Sequence, residues 1–241
     1  MSGSFRFGPG PLTPAIKALV IANVAGYLVT LVAPPVALLL GLIPAAVVER
    51  LWFWQPVTYM FQHGGLFHLV FNMLALWMFG VELERLWGTR FFLTFYFVSG
   101  IGAAITTIVA ALLPFGFAES LYVAVTVGAS GAIYGLLLAY ALTYPNRPIY
   151  LYMVFPIPAK IFVLIIGAIS FLSSISGSQS GVAHATHLGG ILAGYLFLVW
   201  RRSTIGSQLR SQMLRWRLNR LRKRFSVHQG GRHDDTNRWI H

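Results

Sequence analysis

Cysteine is absent from all 241 residues, which excludes disulfides and thiolate metal sites. Charge is scarce too: 10% of the residues are Asp, Glu, Lys or Arg, against about 25% in a soluble domain. With 56% hydrophobic residues and a mean hydropathy of +0.69, the chain would expose apolar surface in water. The bilayer is its natural solvent. The only aspartates are Asp234 and Asp235, near the C-terminal end. A membrane aspartyl protease, which needs two aspartates at membrane depth, is thereby excluded. An HExxH zinc motif, a phosphate-binding glycine loop and an internal repeat are also missing. Met1 to Pro14 lacks the charged start and small-residue cleavage site of a signal peptide, so the first apolar run is read as a retained helix.

What is present is a series of six apolar runs, read as helices near Pro14–Ala33, Gly65–Gly80, Arg90–Leu113, Gly128–Tyr144, Lys160–Ser174 and Thr186–Trp200. The expected architecture is an all-α, polytopic six-helix transmembrane bundle over residues 14–200. A cytoplasmic segment, 1–13, precedes it and a basic cytoplasmic tail, 201–241, follows. Eleven of the eighteen Lys and Arg residues lie after Trp200. The net charge of +12 is therefore mostly a property of the tail, which suits the anionic cytoplasmic leaflet better than a nucleic acid. With the N-terminus inside, inner segments hold Arg6, Lys17, Arg85, Arg90, Arg147, Lys160 and the tail, and outer segments hold Arg50 alone. Pro34–Gln62 reads as a loop lying partly in the outer leaflet, and Ser176–Ala185 as a flexible cap. Gln208–Phe225 has the pattern of an amphipathic surface helix.

Polar residues inside apolar runs are informative because they are costly there. His68 and Asn72, four apart on the second run, share a helix face and can both donate hydrogen bonds to a developing oxyanion. Interhelical glue is the competing reading. On the fourth run, Gly128-Ala129-Ser130-Gly131 puts a hydroxyl at a helix start between glycines. Gly131 and Gly135 make a small-xxx-small face, as do Gly190 and Gly194 on the sixth run. Two such helices, packed together with both N-terminal ends outside, bring Ser130 and His187 to similar depth. Imidazole can then take the serine proton. Tyr134, one turn below Ser130, is placed to buttress the ring. His184 is a competing base, but it falls in the segment read as flexible. With Glu82 and Glu84 expected inside, and Glu49 and Glu119 read as outer-loop residues without a strong claim, no carboxylate completes a triad, so the chemistry is that of a dyad.

These residues together resemble the rhomboid family of intramembrane serine proteases. The resemblance runs from about Trp54 to Trp200. It is carried by His63-Gly-Gly-Leu-Phe-His68-Leu-Val-Phe-Asn72, Glu84-Arg85-Leu-Trp-Gly88, Gly128-Ala-Ser130-Gly131-Ala-Ile-Tyr134 and His187-Leu-Gly-Gly190-Ile-Leu-Ala-Gly194. It implies Ser130 as nucleophile and His187 as general base. His68, Asn72 and the backbone N–H of Ser130 would form the oxyanion hole, with Gly128, Gly131, Tyr134, Gly190 and Gly194 in support and no metal or cofactor. Glu84 and Arg85 match a structural motif at the cytoplasmic turn. Some members carry Trp-Arg in the first outer loop; here the pair is Trp54-Gln55. The form resembled is the minimal six-helix one, which implies the plasma membrane of a prokaryote and an active site near the outer leaflet. Single-span or polytopic membrane proteins are the implied substrates. A non-catalytic rhomboid-like protein that binds membrane helices is the alternative. A transporter would need ionisable residues near mid-membrane or a repeat, and has neither.

Overall fold

Pro14 stands in the first turn of helix α1 (Pro14–Val32), where its missing N–H costs nothing. The free donors of that turn are met by a carboxylate distant in sequence. Glu84 accepts from the backbone N–H groups of Ala15 (2.9 Å) and Ile16 (3.2 Å), from the Thr13 hydroxyl, and from Thr89 Oγ1 (2.7 Å). Negative charge at a helix N-terminus is also favoured by the backbone dipoles. Arg85 donates to the carbonyls of Pro9 and Pro11, and Trp77 Nε1 to that of Gly10 (2.9 Å). The Glu84-Arg85 motif is thus a clamp on the start of α1.

The computed structural model describes residues 8–114, 118–151, 155–175, 181–202 and Leu218. Its second long rod combines α5 (Leu66–Ala75), a π-turn over Leu76–Gly80 and α6 (Val81–Trp87). It runs seven residues beyond the expected end at Gly80. Val81 and Leu83 are buried, and Glu84 has its charge satisfied within the bundle, so these residues continue the helix rather than end it. Then comes α7 (Thr89–Ala111). α1, Leu66–Trp87 and α7 are each long and apolar enough to cross a membrane. α9 (Ser130–Thr143) and α10 (Ala159–Ile175) are shorter, and α11 (Gly181–Arg202) has 22 residues.

α7 lies at the centre, burying Phe92, Phe95, Tyr96, Ser99, Ala103, Ala104 and Thr107, and packs along α9. Arg147, just after α9, pairs with Glu82 on α6, and Tyr140 donates to the same carboxylate (3.3 Å).

Besides the longer second rod, two segments differ from their sequence reading and a third, between α9 and α10, had none. The connection after α1 is not a plain loop: it folds into α2 (Val36–Leu40), α3 (Pro44–Arg50), α4 (Gln55–Thr58) and a 3-10 turn, Tyr59–Phe61. Gln55, fully buried, accepts from Ile43 N–H (3.0 Å) and donates to the carbonyls of Leu38 (3.2 Å) and Leu39 (3.3 Å). It thereby ties α4 to α2 and to the start of α3. Leu38, Leu39, Leu51 and Phe53 remain exposed on this segment. Between α9 and α10 stands an antiparallel hairpin, β1 (Pro148–Leu151) and β2 (Phe155–Pro158), with Ile149 opposite Ile157. Pro145, Pro148, Pro156 and Pro158 deny this stretch a helix. Residues 181–185, read as cap, form the first turn of α11; residues 176–180 lie outside the described residues. A further short helix, α8 (Ala118–Val123), precedes the strand-like approach to α9. The chain divides into two units, Met1–Leu198 and Val199–His241. The amphipathic helix expected at Gln208–Phe225 lies outside the described residues apart from Leu218.

Candidate active site

The residues before α9 are fixed on both sides. Thr126 pairs with Leu42 through two backbone hydrogen bonds (2.8 and 2.9 Å), and Gly128 N–H donates to the Tyr59 carbonyl (2.9 Å). Tyr59 is itself buried and donates its hydroxyl to the Gly100 carbonyl on α7 (2.7 Å). Gly128 adopts φ +124°, a region that side chains strongly disfavour. The chain can then turn sharply into α9 and present Ser130 at its first position.

His187 comes from α11. Its Nε2 lies 2.8 Å from Ser130 Oγ. The Ser130 O–H can donate to that nitrogen only if the ring proton sits on Nδ1. Nδ1 is buried and has no hydrogen-bond partner among the described residues. The ring lies flat on Tyr134, with centroids 4.1 Å apart and planes 7° from parallel. Orientation therefore comes from a stacked face, not from a carboxylate.

The glycines explain how the two helices approach. A Cβ on Gly190 would lie 1.9 Å from the Gly131 carbonyl oxygen, and one on Gly194 3.3 Å from Gly135 Cα. Ser99 on α7 fills the remaining corner: a Cβ on Gly135 would meet its side chain at 2.6 Å. The small-residue faces are thus in direct backbone contact beside Ser130 and His187.

His68 and Asn72 stand on α5, which packs against α9. The point where a Cβ on Gly128 would sit is 2.9 Å from His68 Nε2 and 3.6 Å from Ser130 Oγ. Gly128 therefore keeps open a pocket between the imidazole and the serine. Gly64 N–H makes a long contact to His68 Nδ1 (3.4 Å), which favours the tautomer with a proton on Nε2, facing that pocket. Asn72 is buried; its amide nitrogen donates to the His68 carbonyl (2.7 Å), which uses one of its two N–H groups.

Two further histidines belong to this region. His63, buried, meets His68 edge-on at 5.1 Å. His184, helical rather than in a loop, meets His187 edge-on at 5.7 Å. His63 precedes α5, so no helical spacing singles it out. Among the described residues, no three His, Cys, Asp or Glu side chains gather into a set that could hold a metal ion.

A family model described as the Rhomboid domain matches residues 50–203. The chain belongs to the rhomboid family. Rhomboid protease AarA of Providencia stuartii is 32% identical over 160 residues, 61% of this chain and 55% of that protein. Rhomboid protein 1, mitochondrial, of Saccharomyces cerevisiae is 33% identical over 144 residues, 57% of this chain and 38% of that protein. Rhomboid protease GluP of Bacillus subtilis is 33% identical over 143 residues, 59% of this chain and 25% of that protein. The match covers 55% or less of the length of these rhomboid relatives. It takes in His63, His68, Asn72, Ser130 and His187 within the family region.

Proposed function

We propose that this rhomboid-family protein is an intramembrane serine endopeptidase that cuts membrane-protein helices through a Ser130–His187 dyad. The observation that carries the reading is the 2.8 Å approach of His187 Nε2 to Ser130 Oγ. Two relatives named as proteases, AarA and GluP, support it.

The reaction is acyl transfer. Ser130 Oγ bonds to the substrate carbonyl carbon as its proton passes to His187 Nε2, and the carbonyl electron pair moves onto oxygen. The resulting oxyanion lies in the pocket beside Gly128. His68 Nε2–H, the second Asn72 N–H and the backbone N–H of Ser130 are its donors. Collapse breaks the C–N bond, and His187 gives its proton to the leaving amine. Water, deprotonated by His187, then cleaves the ester and restores the serine hydroxyl. Tyr134 holds the imidazole face throughout.

The two ends of the bundle support a membrane orientation. Arg85, Arg147 and the clamp on α1 stand at one end, and Ser130 and His187 belong to the opposite ends of their helices. Basic residues face the cytoplasm, so the dyad faces the outer leaflet. The exposed Leu38, Leu39 and Phe53 are read as lipid contacts there.

Purified protein incubated with a single-span reporter tests the proposal. Wild type cleaves it, whereas Ser130→Ala and His187→Ala remain folded and cleave nothing. A fluorophosphonate probe labels wild type and not Ser130→Ala. A wild type that binds the reporter but neither cleaves it nor takes the probe is the non-catalytic helix binder instead.

A further inference from the structure

Thr186 precedes His187 on α11, and its hydroxyl lies 2.8 Å from that of Thr107 on α7. Both side chains are buried, at 2% and 0% exposure. The Thr107 hydroxyl also stands 2.9 Å from the Ala103 carbonyl. A hydroxyl has one proton to give. With either hydroxyl as donor, the bond links α11 to α7, where Thr107 also lies against its own helix backbone. The methyl of Thr186 faces α9: a Cβ on Gly131 would lie 3.4 Å from it. One side chain thus touches the helix of Ser130 with its methyl and a third helix with its hydroxyl, one residue before the base.

We propose that the Thr186–Thr107 hydrogen bond is the stop that sets the rotation and depth of His187 against Ser130, making both threonines positioning residues. This rests on the dyad reading above. The glycine contacts limit how close α9 and α11 come, but flat backbone surfaces do not resist rotation or sliding. The Tyr134 stack fixes the plane of the ring and leaves it free to slip within that plane. A directional bond beside His187 supplies what neither contact can. The lever is short. Turning α11 by about 10° moves an imidazole nitrogen roughly 6 Å from the axis by about 1 Å. A misplacement of that size can cost on the order of 100-fold in rate.

The experiment uses the full chain in detergent or proteoliposomes, with a single-span reporter, and compares Thr107→Val, Thr186→Val, the double variant and Thr186→Ser. Valine keeps the branched shape and removes the hydroxyl; serine keeps the hydroxyl and removes the methyl. Each valine variant should lower kcat by about 10-fold or more with KM within about twofold. The double variant should be no slower than the worse single one, because one bond has been lost, not two. Thr186→Ser should stay within about threefold of wild type. Thermal unfolding should move little, since a single interhelical hydrogen bond adds little to stability within a membrane. Valine variants with wild-type kcat, multiplicative losses in the double variant, serine as damaging as valine, or unfolding of both valine variants would each overturn the positioning role. A wild type that cleaves nothing, or a Ser130→Ala variant that still cleaves, would instead sink the dyad reading.

Discussion

Gly190→Ala is the sharpest perturbation available in the helix contact beside the dyad. The new Cβ would lie 1.9 Å from the Gly131 carbonyl oxygen and 2.7 Å from its carbonyl carbon. Both are backbone atoms within α9, so no rotamer change can make room. A comfortable carbon–oxygen approach begins near about 3.3 Å, so the helices must part by roughly 1.4 Å. Gly131 adjoins Ser130, and Gly190 is one turn from His187. A parting of that size takes the Ser130–His187 contact from 2.8 Å to about 4 Å, beyond hydrogen-bond reach. The expected loss in kcat is about 100-fold or more, with overpacking costing about 1–3 kcal/mol of stability. Gly194→Ala is the internal control. Its Cβ would meet Phe95 and Ser99 at 3.1 Å and Gly135 Cα at 3.3 Å, distances that a few tenths of an ångström relieve. Its kcat should fall far less. Reporter cleavage and thermal unfolding, measured side by side, read both terms. A Gly190→Ala variant with half of wild-type kcat, or a Gly194→Ala variant that is the more damaged of the two, would refute the reasoning.

Filling the pocket beside His68 with Gly128→Ala should cut kcat by about 100-fold and slow fluorophosphonate labelling, since it blocks the proposed oxyanion position as well as straining φ. Asn72→Ala should slow reporter cleavage by about 100- to 1,000-fold, less than losing Ser130, because other donors remain. Tyr134→Phe should match wild type in kcat, whereas Tyr134→Ala should lose roughly 2- to 12-fold, the equivalent of a stack worth about 0.5–1.5 kcal/mol. Gln55→Ala strands the Ile43 N–H and releases two carbonyls. At about 1–3 kcal/mol for each buried group left unpaired, it should lower the unfolding midpoint in detergent, with kcat per folded molecule retained.

The helix order was legible because apolar runs and glycine spacing are local signals. Gly131 with Gly135, and Gly190 with Gly194, announce faces that admit close neighbours, and in the structure those faces meet. Ser130 and His187 were readable as a pair from their matching places at helix starts. Other features depend on partners far away in the chain. Nothing local says that Gln55 would reach Leu38 and Ile43, or that Thr107 and Thr186 would share a proton. His63 was quoted with its motif but gained a neighbour, His68, only through the turn before α5. The hairpin at 148–158 was hidden by its apolar composition, although its prolines were the available signal against a helix. The rod continues past the end expected at Gly80, with Glu84 meeting its donors within the bundle and Glu82 pairing with Arg147.

The π-turn at Leu76–Gly80 separates two jobs carried by one rod. Such a turn closes i to i+5 and holds about one residue more than an α turn. Each residue of ordinary helix advances the azimuth by about 100°. The extra residue therefore resets the compass bearing of everything after it. His68 faces Gly128 from the first half, while Glu82 and Glu84 reach Arg147 and the start of α1 from the second. Deleting a single residue in this stretch would leave the rod unbroken yet swing one half by more than a quarter of a circle, so that His68 and the two carboxylates could no longer both face their partners.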